Sequence, residues 1–439
     1  MTTFTRSLAT LAVLPVLALA GCGGGDEEEP AGGGQATTEA SDVTGDVQVT
    51  AIWSGAEQES FNAVLDGFRE QYPDVNVTYT SGGDQLPTVL ATAVEGGNPP
   101  DVAVVAQPGL IQQFVDQDAL QPLDFARDTI EENFGEDSIA TGTFNDELYG
   151  LFFKGANKST MWFNTQVFEE AGVEAPATWD ELQQSADTLQ ASGVPAYSIA
   201  GADGWTLTDL FENLYLRIAG PEKYDQLAEH EIPWTDPSVT ETLTEMAKVF
   251  ENEDNIAGGR RGALQTDFPE SVSQVFGESP EAAIVLEGDF VRGNIEDADA
   301  AEGSYDVAPF PAVGDSGENV VVGGGDIVVM FQDSPAAQAL VEYLATPEAA
   351  ELWASRGGFA SPNQNLDASV YPDEITQRTA GALAEAETFR FDMSDLAPAE
   401  FGGTPGQGEW KILQDFLDDP SDVTGTARAL ERAAARAYR

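Results

Sequence analysis

The sequence contains few of the residues on which most catalytic and metal-binding chemistry depends. Its 439 residues include one cysteine and one histidine. A single cysteine excludes an intrachain disulfide, and these counts exclude multi-histidine zinc sites and cysteine-rich metal clusters. A histidine-based catalytic triad would depend on His230 alone, and there is no Gly-x-Ser-x-Gly nucleophile elbow. We therefore expect no metal ion, no cofactor and no catalytic residue of these classes.

Basic residues and long apolar runs are also scarce. The chain has 19 lysines and arginines against 76 aspartates and glutamates, a formal net charge of −57. A field of this sign disfavours nucleic acid and anionic lipid surfaces as partners, and it is typical of a solvated acidic surface in saline or alkaline surroundings. After residue 22 no apolar run approaches membrane-spanning length. The length, with a hydrophobic fraction of 42%, allows two to three domains and a sizeable core.

The first 22 residues carry the features of an export signal. Arg6 precedes an apolar run at residues 8–20, which is too short to span a bilayer as a helix but suits a secretory signal. The run ends in Leu19-Ala20-Gly21-Cys22, which resembles the lipobox of bacterial lipoproteins. The resemblance implies that residues 1–21 are a signal peptide and that Cys22 becomes a lipidated N-terminus on the outer face of the cell membrane. An ordinary signal peptide cut elsewhere is the alternative.

Residues 22–46 form a glycine-rich, acidic segment after this run. Three glycines at 23–25, four acidic residues at 26–29 and three more glycines at 32–34 are accompanied by no basic residue. This composition predicts a flexible tether with a mean reach of about 25–30 Å. We expect ordered structure to begin near Val47.

From residue 47 the apolar pattern alternates between strand and helix periods. Strands are expected at 47–51, 75–79 and 101–105, with helices at 61–68 and 86–94 between them. This order favours a parallel sheet covered by helices, in which ligands lie beyond the carboxyl ends of the strands. That rule places Trp53-Ser54-Gly55 and Ala106-Gln107 at a candidate site.

The later part of the chain contains a triglycine and two terminal helices. Gly323-Gly324-Gly325 lies between apolar runs at 320–322 and 327–331, which predicts a bend between strands or a crossover. Because no helix follows the glycines, their context does not fit a dinucleotide-binding fingerprint. Helical patterns at 409–417 and 424–438 close the sequence.

Several motifs in sequence order resemble one protein family. They are Glu147-Leu148-Tyr149-Gly150-Leu151, Met161-Trp162-Phe163-Asn164, Thr178-Trp179-Asp180-Glu181 and Gly357-Gly358-Phe359-Ala360-Ser361-Pro362-Asn363. This order resembles the extracellular solute-binding proteins of carbohydrate-uptake ABC transporters over residues 47–439. Phe152 stands where proline is usual in that family, and Phe163 stands where tyrosine is usual. Phe152-Phe153-Lys154 and Phe389-Arg390-Phe391-Asp392 resemble the subgroup that takes up alpha-glucosides.

The resemblance implies a fold and a function. The fold is α/β, two-lobed and periplasmic-binding-protein-like (type II), with a mainly parallel sheet flanked by helices in each lobe and a hinge of crossing segments. The N-terminal lobe is expected at 47–156 plus 305–358, and the C-terminal lobe at 157–304 plus 359–439. The implied function is that of a monomer which binds an oligosaccharide in the cleft between the lobes and delivers it to the membrane permease of an ABC importer, with no bond made or broken.

Sugar binding needs aromatic faces for the C–H patches of the ring and fixed polar groups for its hydroxyls. The aromatic candidates adjoin turns or glycines; they are Trp53, Trp205, Phe359 and Trp410. The polar candidates are Glu57, Gln58, Asp101, Lys154, Glu287, Asp289, Asp326, Asn363, Arg390 and Asp392. Core packing is the alternative role for each aromatic residue, and a solvated or capping role is the alternative for each polar one.

Two other functions remain open from the residues alone. A cationic solute, such as a polyamine or quaternary amine, could bind among aromatic rings and carboxylates. A tethered glycoside hydrolase would need two carboxylates facing each other across an aromatic groove. Glu287 and Asp289 are two residues apart and would project from one face of an extended segment.

Overall fold

A computed structural model describes residues 43–298, 300–301, 303–314, 316 and 320–439. The predicted signal peptide, Cys22 and most of the tether lie outside the described residues. The first strand among the described residues starts at Gly45, close to the expected Val47. Among the described residues, no helix is both long and apolar enough to cross a membrane.

The described residues form short strands and many helices. The strands are β1 (Gly45–Ala51), β2 (Val75–Ser81), β3 (Val102–Val105), β4 (Thr143–Phe144), β5 (Glu147–Leu148), β6 (Gly150–Asn157), β7 (Thr160–Asn164), β8 (Ile284–Leu286), β9 (Tyr305–Pro309), β10 (Val320–Met330) and β11 (Thr388–Phe391). The first ten helices are α1 (Gly55–Gln71), α2 (Leu86–Glu95), α3 (Pro108–Asp116), α4 (Arg127–Asn133), α5 (Glu136–Thr141), α6 (Thr165–Ala171), α7 (Trp179–Ser192), α8 (Trp205–Ala219), α9 (Pro221–Ala228) and α10 (Pro237–Glu251). The others are α11 (Gly259–Ala263), α12 (Phe268–Phe276), α13 (Val291–Asp297), α14 (Pro335–Leu344), α15 (Pro347–Ala354), α16 (Glu374–Ala384), α17 (Met393–Leu396), α18 (Ala399–Gly402), α19 (Gly408–Asp418) and α20 (Val423–Ala437).

The first lobe is built on a six-stranded sheet of order β11-β10-β3-β1-β2, with β6 also paired to β10. β1 pairs in parallel with both β2 and β3, as the alternating pattern predicted. Alternation in β1 directs Val47, Val49 and Ala51 into the core, where they meet the apolar face of α1 that includes Phe61 and Phe68. The carboxyl ends of β1, β2 and β3 therefore lie at one edge of the sheet.

The triglycine lies inside one long strand, β10, and not at a bend between two strands. Val322 of this strand packs in the second core and Val328 in the first. β10 pairs antiparallel with both β6 and β3. A Cβ at Gly325 would collide with the Lys154 carbonyl and the Phe152 ring, and one at Gly323 would collide with the Phe389 ring. The glycines permit close approach of neighbouring groups, which local sequence pattern does not reveal.

The second lobe is built on a three-stranded sheet of order β8-β7-β9. Both pairings are antiparallel, so the expected mainly parallel sheet does not occur in this lobe. β7 follows β6 of the first sheet after two residues, and β10 is the next strand after β9 among the described residues. In the first sheet β10 runs antiparallel to β3 and β6 and parallel to β11.

Each sheet has its own hydrophobic core, which confirms the α/β class. The second core is formed mainly by α7, α8, α10, α19 and α20. As the sequence predicted, three tryptophans are buried: Trp162 and Trp179 in the second lobe and Trp353 in the first. Phe359 lies in the core of the first lobe and β11 lies in its sheet, although the sequence assigned residues 359–439 to the second lobe. The other lobe boundaries stay a prediction.

Candidate ligand-binding cleft

A cavity of about 290 Å³ lies where the carboxyl ends of β1, β2 and β3 face the second lobe. Its lining residues in the first lobe include Trp53, Ser54, Glu57, Asp84, Gln107, Lys154 and Asp326. Those in the second lobe include Asp203, Trp205, Asp267, Phe268, Phe290, Asn294 and Trp410. We call this cavity the cleft. Its position is the one that α/β sheets give to ligands, beyond the ends of parallel strands.

A buried lysine fixes two carboxylates on the first-lobe side of the cleft. The Nζ of Lys154 lies 2.6 Å from Oε1 of Glu57 and 3.6 Å from Oδ2 of Asp326. The indole nitrogen of Trp53 donates to the same Asp326 oxygen at 2.9 Å. Burial alone would lower the pKa of Lys154, but the adjacent Glu57 and Asp326 outweigh it and raise that pKa. Lys154 is therefore charged, and it holds both carboxylates as oriented hydrogen-bond acceptors.

Three aromatic rings form the opposite wall. The centroids of Trp205, Phe268 and Phe290 lie 5.4 to 5.9 Å from one another. Trp205 begins α8 directly after Gly204, whose φ of +87° favours glycine. A Cβ at Gly204 would also lie 2.8 Å from the Cβ of Trp410, so glycine lets these two segments meet. The sequence after Gly204 thus places an aromatic ring at the cleft surface.

Carboxyl groups from both lobes meet beside this wall. Asp84 follows β2 in the first lobe and contacts both Asp203 and Trp205 of the second. Asp203 also accepts a hydrogen bond from the Phe268 amide at 2.6 Å, and Asp267 caps α12 through the Glu270 amide. Burial, and then the charge of Asp84, raise the pKa of Asp203 to about 7.

Six of the fourteen predicted ligand-binding residues line the cleft. They are Trp53, Glu57, Lys154, Trp205, Asp326 and Trp410. Trp53 and Trp410 are only 1% and 3% exposed, so most of each ring also packs in the protein. Trp410 lies in α19 and not in a loop, and its indole nitrogen has no hydrogen-bond partner in the part of the chain that the structure describes.

Glu287 and Asp289 do not line the cleft and are both 4% exposed. Burial raises the pKa of Glu287 to about 8 and that of Asp289 to about 7. Within the described residues, one oxygen of each carboxyl group has no hydrogen-bond partner. These groups are buried acids near the site and do not line its surface.

Three more predicted residues have structural contacts outside the cleft lining. Asp101 accepts from the Gln48 amide at 2.7 Å next to the β1–β3 pairing. Gln58 lies half-buried in α1. Phe359 stacks on Trp353 with ring centroids 5.2 Å apart.

The last three predicted residues also lie outside the lining. Asn363 donates to the Ala345 carbonyl at 3.3 Å. Arg390 forms an ion pair with Asp225. Asp392 caps α17 and pairs with Lys158 at 2.5 Å. Because none of these three side chains lines the cleft, the structure gives no support for a ligand contact at any of them.

The second-lobe lining was largely missed from the sequence. Asp203, Asp267, Phe268 and Phe290 come from loops and helix starts that follow no alternating strand pattern. Asp84 could have been found, because it follows the carboxyl end of β2 as Ser54 follows β1. Applying the strand-end rule to β2 would have included it.

Comparison with known proteins was made on sequence and on structure. The family model for bacterial extracellular solute-binding proteins matches residues 53–351. The osmoprotective compounds-binding protein GgtB of Synechocystis is 32% identical over 88% of this chain and 92% of its own. The alpha-glucosides-binding periplasmic protein AglE of Rhizobium meliloti is 31% identical over 84% of this chain and 83% of its own.

Solved structures of other proteins have a fold similar to that of this chain. The bacterial solute receptor AcbH superposes with a TM-score of 0.80 at 21% identity, covering 90% of this chain and 100% of that one. The GacH receptor of Streptomyces glaucescens gives 0.67 at 16% identity, covering 90% and 97%. These likenesses confirm the two-lobed α/β fold. The chain therefore belongs to the family of bacterial extracellular solute-binding proteins that serve ABC sugar transporters, and it is an extracytoplasmic binding protein and not an enzyme.

Proposed function

We propose that this protein is the lipid-anchored binding component of an ABC importer, that it captures an oligosaccharide of the alpha-glucoside type in the cleft, and that it delivers this sugar intact to the permease. One observation carries the proposal: a wall of three aromatic rings in one lobe faces carboxylates fixed by a buried lysine in the other. It acts in this account as a monomer.

The chemistry of the two walls suits a neutral sugar. Trp205, Phe268 and Phe290 offer apolar surface to the C–H groups of a pyranose ring. Glu57 and Asp326 accept hydrogen bonds from hydroxyl groups, and Lys154 keeps them in place. Because the rings and the carboxylates belong to different lobes, a ligand gains both sets of contacts only in the closed form.

The relatives support this class of ligand. The name of AglE states that it binds alpha-glucosides, and this chain covers 83% of its length. The name of GgtB states that it binds osmoprotective compounds. The name of AglE and the chemistry of the cleft favour an alpha-glucoside, and the name of GgtB does not narrow the class further.

A cationic solute is the second candidate. Asp84, Asp203 and Asp267 lie beside Trp205 and Phe268, and among the described residues none of these carboxyl groups forms an ion pair with a lysine, arginine or histidine. Carboxylates next to aromatic faces can bind an ammonium group. The ligand screen below distinguishes the two classes.

A thermal-shift screen tests the ligand class. Maltose and trehalose should raise the melting temperature, whereas spermidine and choline should not, because only a ligand of the native state stabilises it. Trp205→Ala should lose the sugar-induced shift. Val89→Ala, on the exposed face of α2, serves as the control and should keep it. A shift with the amines and none with the sugars would favour the second candidate.

The anchor is tested separately. Cys22→Ala in the exporting cell should release the protein from the membrane fraction and abolish labelling by a fatty acid. Labelling that persists in this variant would contradict lipidation at Cys22.

A further inference from the structure

Two aspartates connect the lobes across the cleft. Asp84 lies in the short turn Gly83–Gln85 after β2 of the first lobe, and Asp203 lies just before α8 of the second. Their carboxyl groups contact each other, and both line the cleft. Two ionised carboxylates in contact would repel, so this geometry is favourable only when one of them carries a proton.

The groups around the pair do not neutralise it. Asp267, at the start of α12, adds further negative charge, whereas burial raises the pKa of Glu287, after β8, to about 8. The two lysines that line the cleft are bound to other carboxylates: Lys154 to Glu57 and Asp326, and Lys158 to Asp209, Asp392 and Asp395. In the described part of the chain, no cation lies within ion-pair distance of Asp84 or Asp203.

Neutral donors hold each carboxyl group in position. The Phe268 amide donates to Oδ2 of Asp203 at 2.6 Å, and the Trp205 side chain contacts Asp84. An O–H group donating to a carboxylate forms a short, strong hydrogen bond.

We propose that Asp84 and Asp203 form a carboxyl clasp, in which one shared proton hydrogen-bonds the two lobes together and stabilises the closed cleft. The clasp is a positioning device that goes beyond sugar binding, and it makes closure depend on pH. It does not depend on which ligand the cleft accepts.

The direction of the pH effect follows from the two states. In the open form the aspartates separate, and the pKa of each returns toward its ordinary value of 3.8. In the closed form burial and the neighbouring carboxylate raise the pKa of Asp203 to about 7. Closure therefore takes up a proton between these values, and its equilibrium constant falls about tenfold per pH unit as pH rises through this range. Above the upper value it levels off.

Small-angle X-ray scattering of the ligand-free protein tests the clasp. Fits to open and closed forms between about pH 5 and about pH 8 should show the wild type opening as pH rises. Asp84→Asn and Asp203→Asn should each open less steeply with pH than the wild type, because the proton shared by the two carboxyl groups is lost while burial still favours the neutral form of the one that remains. Glu95→Gln removes an exposed charge at the end of α2 and should follow the wild type.

Comparison of the pH profile of each variant with that of the wild type decides whether the clasp exists. Other buried acids, such as Glu287, are present in every variant and cancel when each profile is compared with that of the wild type. Parallel profiles for wild type and Asp84→Asn would overturn the clasp, as would a wild type whose open fraction does not change with pH. Since no ligand is added, failure here leaves the proposed sugar specificity untouched, and failure of the sugar screen leaves the clasp untouched.

Discussion

At the residue scale, the protein buries several carboxyl groups that form no ion pair within the described residues. Glu287 and Asp289 lie outside the cleft lining, and burial raises their pKa values to about 8 and about 7, although the charges of Lys158 and Lys154 act in the opposite direction. Both lysines form their ion pairs with other carboxylates. The sequence indicated that Glu287 and Asp289 lie close together, but burial of their side chains depends on the surrounding helices and could not be predicted from it.

We expect the stability of the protein to fall as pH rises because of these acids. A carboxyl group whose folded pKa is raised binds its proton more tightly when folded, so its contribution to stability is full below the unfolded pKa and is lost as pH rises through the folded pKa. For Glu287 that window runs from 4.5 to about 8. Glu287→Gln should therefore flatten the decline and be more stable than the wild type at about pH 9.

Urea unfolding at several pH values measures this difference. Glu278→Gln is the matched control, because the Glu278 side chain is exposed, and it should leave the pH dependence of stability unchanged. A Glu287→Gln profile parallel to that of the wild type would contradict neutral burial of this side chain.

Lys154 is predicted to matter for both stability and binding. Lys154→Met leaves Glu57 and Asp326 without their cation in a buried site, which should cost about 3–5 kcal/mol in the free energy of unfolding. Sugar affinity should also fall, because the two acceptors lose their orientation. Chemical denaturation and ligand titration measure the two effects.

The control for Lys154 is an exposed lysine. Lys411 pairs with Asp415 on the surface of α19, with 48% of its side chain exposed. Lys411→Met should change stability by less than about 1 kcal/mol. If Lys154→Met and Lys411→Met lowered the free energy of unfolding equally, the buried ion pairs of Lys154 would contribute no more to stability than a surface pair.

At the element scale, local pattern predicted the elements but not all of their neighbours. The order β1-α1-β2-α2-β3 and the terminal helices α19 and α20 were predicted from periodicity, and the structure confirms them. The antiparallel pairs of β7 with β8 and of β10 with β3 were not predicted, because they depend on strands that are distant in the sequence. The burial of Trp410 was missed for a similar reason, since it packs on the distant Gly204.

The close approach at β10 makes a specific prediction. Gly325→Ala should destabilise the protein by more than about 1–3 kcal/mol, because the added Cβ meets the Lys154 backbone as well as the Phe152 ring. Gly381→Ala, in α16 with open space around it, should instead stabilise by about 0.5–1 kcal/mol. Thermal unfolding of both variants measures the contrast, and a tolerated Gly325→Ala would show that β6 and β10 can separate.

At the scale of the whole molecule, two lobes with separate cores meet at a cleft that neither completes alone. The first contributes fixed carboxylates, and the second contributes the aromatic wall. The family resemblance in the sequence predicted this arrangement, whereas the cleft surface of the second lobe required the structure. With a formal charge of −57, the surface repels anions in general, so selectivity among neutral solutes depends on the cleft itself.

The most direct test of this account is isothermal titration of the protein with maltose, comparing the wild type with Trp205→Ala. The account predicts saturable binding by the wild type and at least about tenfold weaker binding by the variant, which corresponds to about 1.4 kcal/mol of lost stacking. Trp205 is partly buried against Phe268 and Phe290, so the ligand-free variant should be less stable, and the titration is made at a temperature where both proteins are folded. Equal maltose affinities for the two proteins would contradict the account.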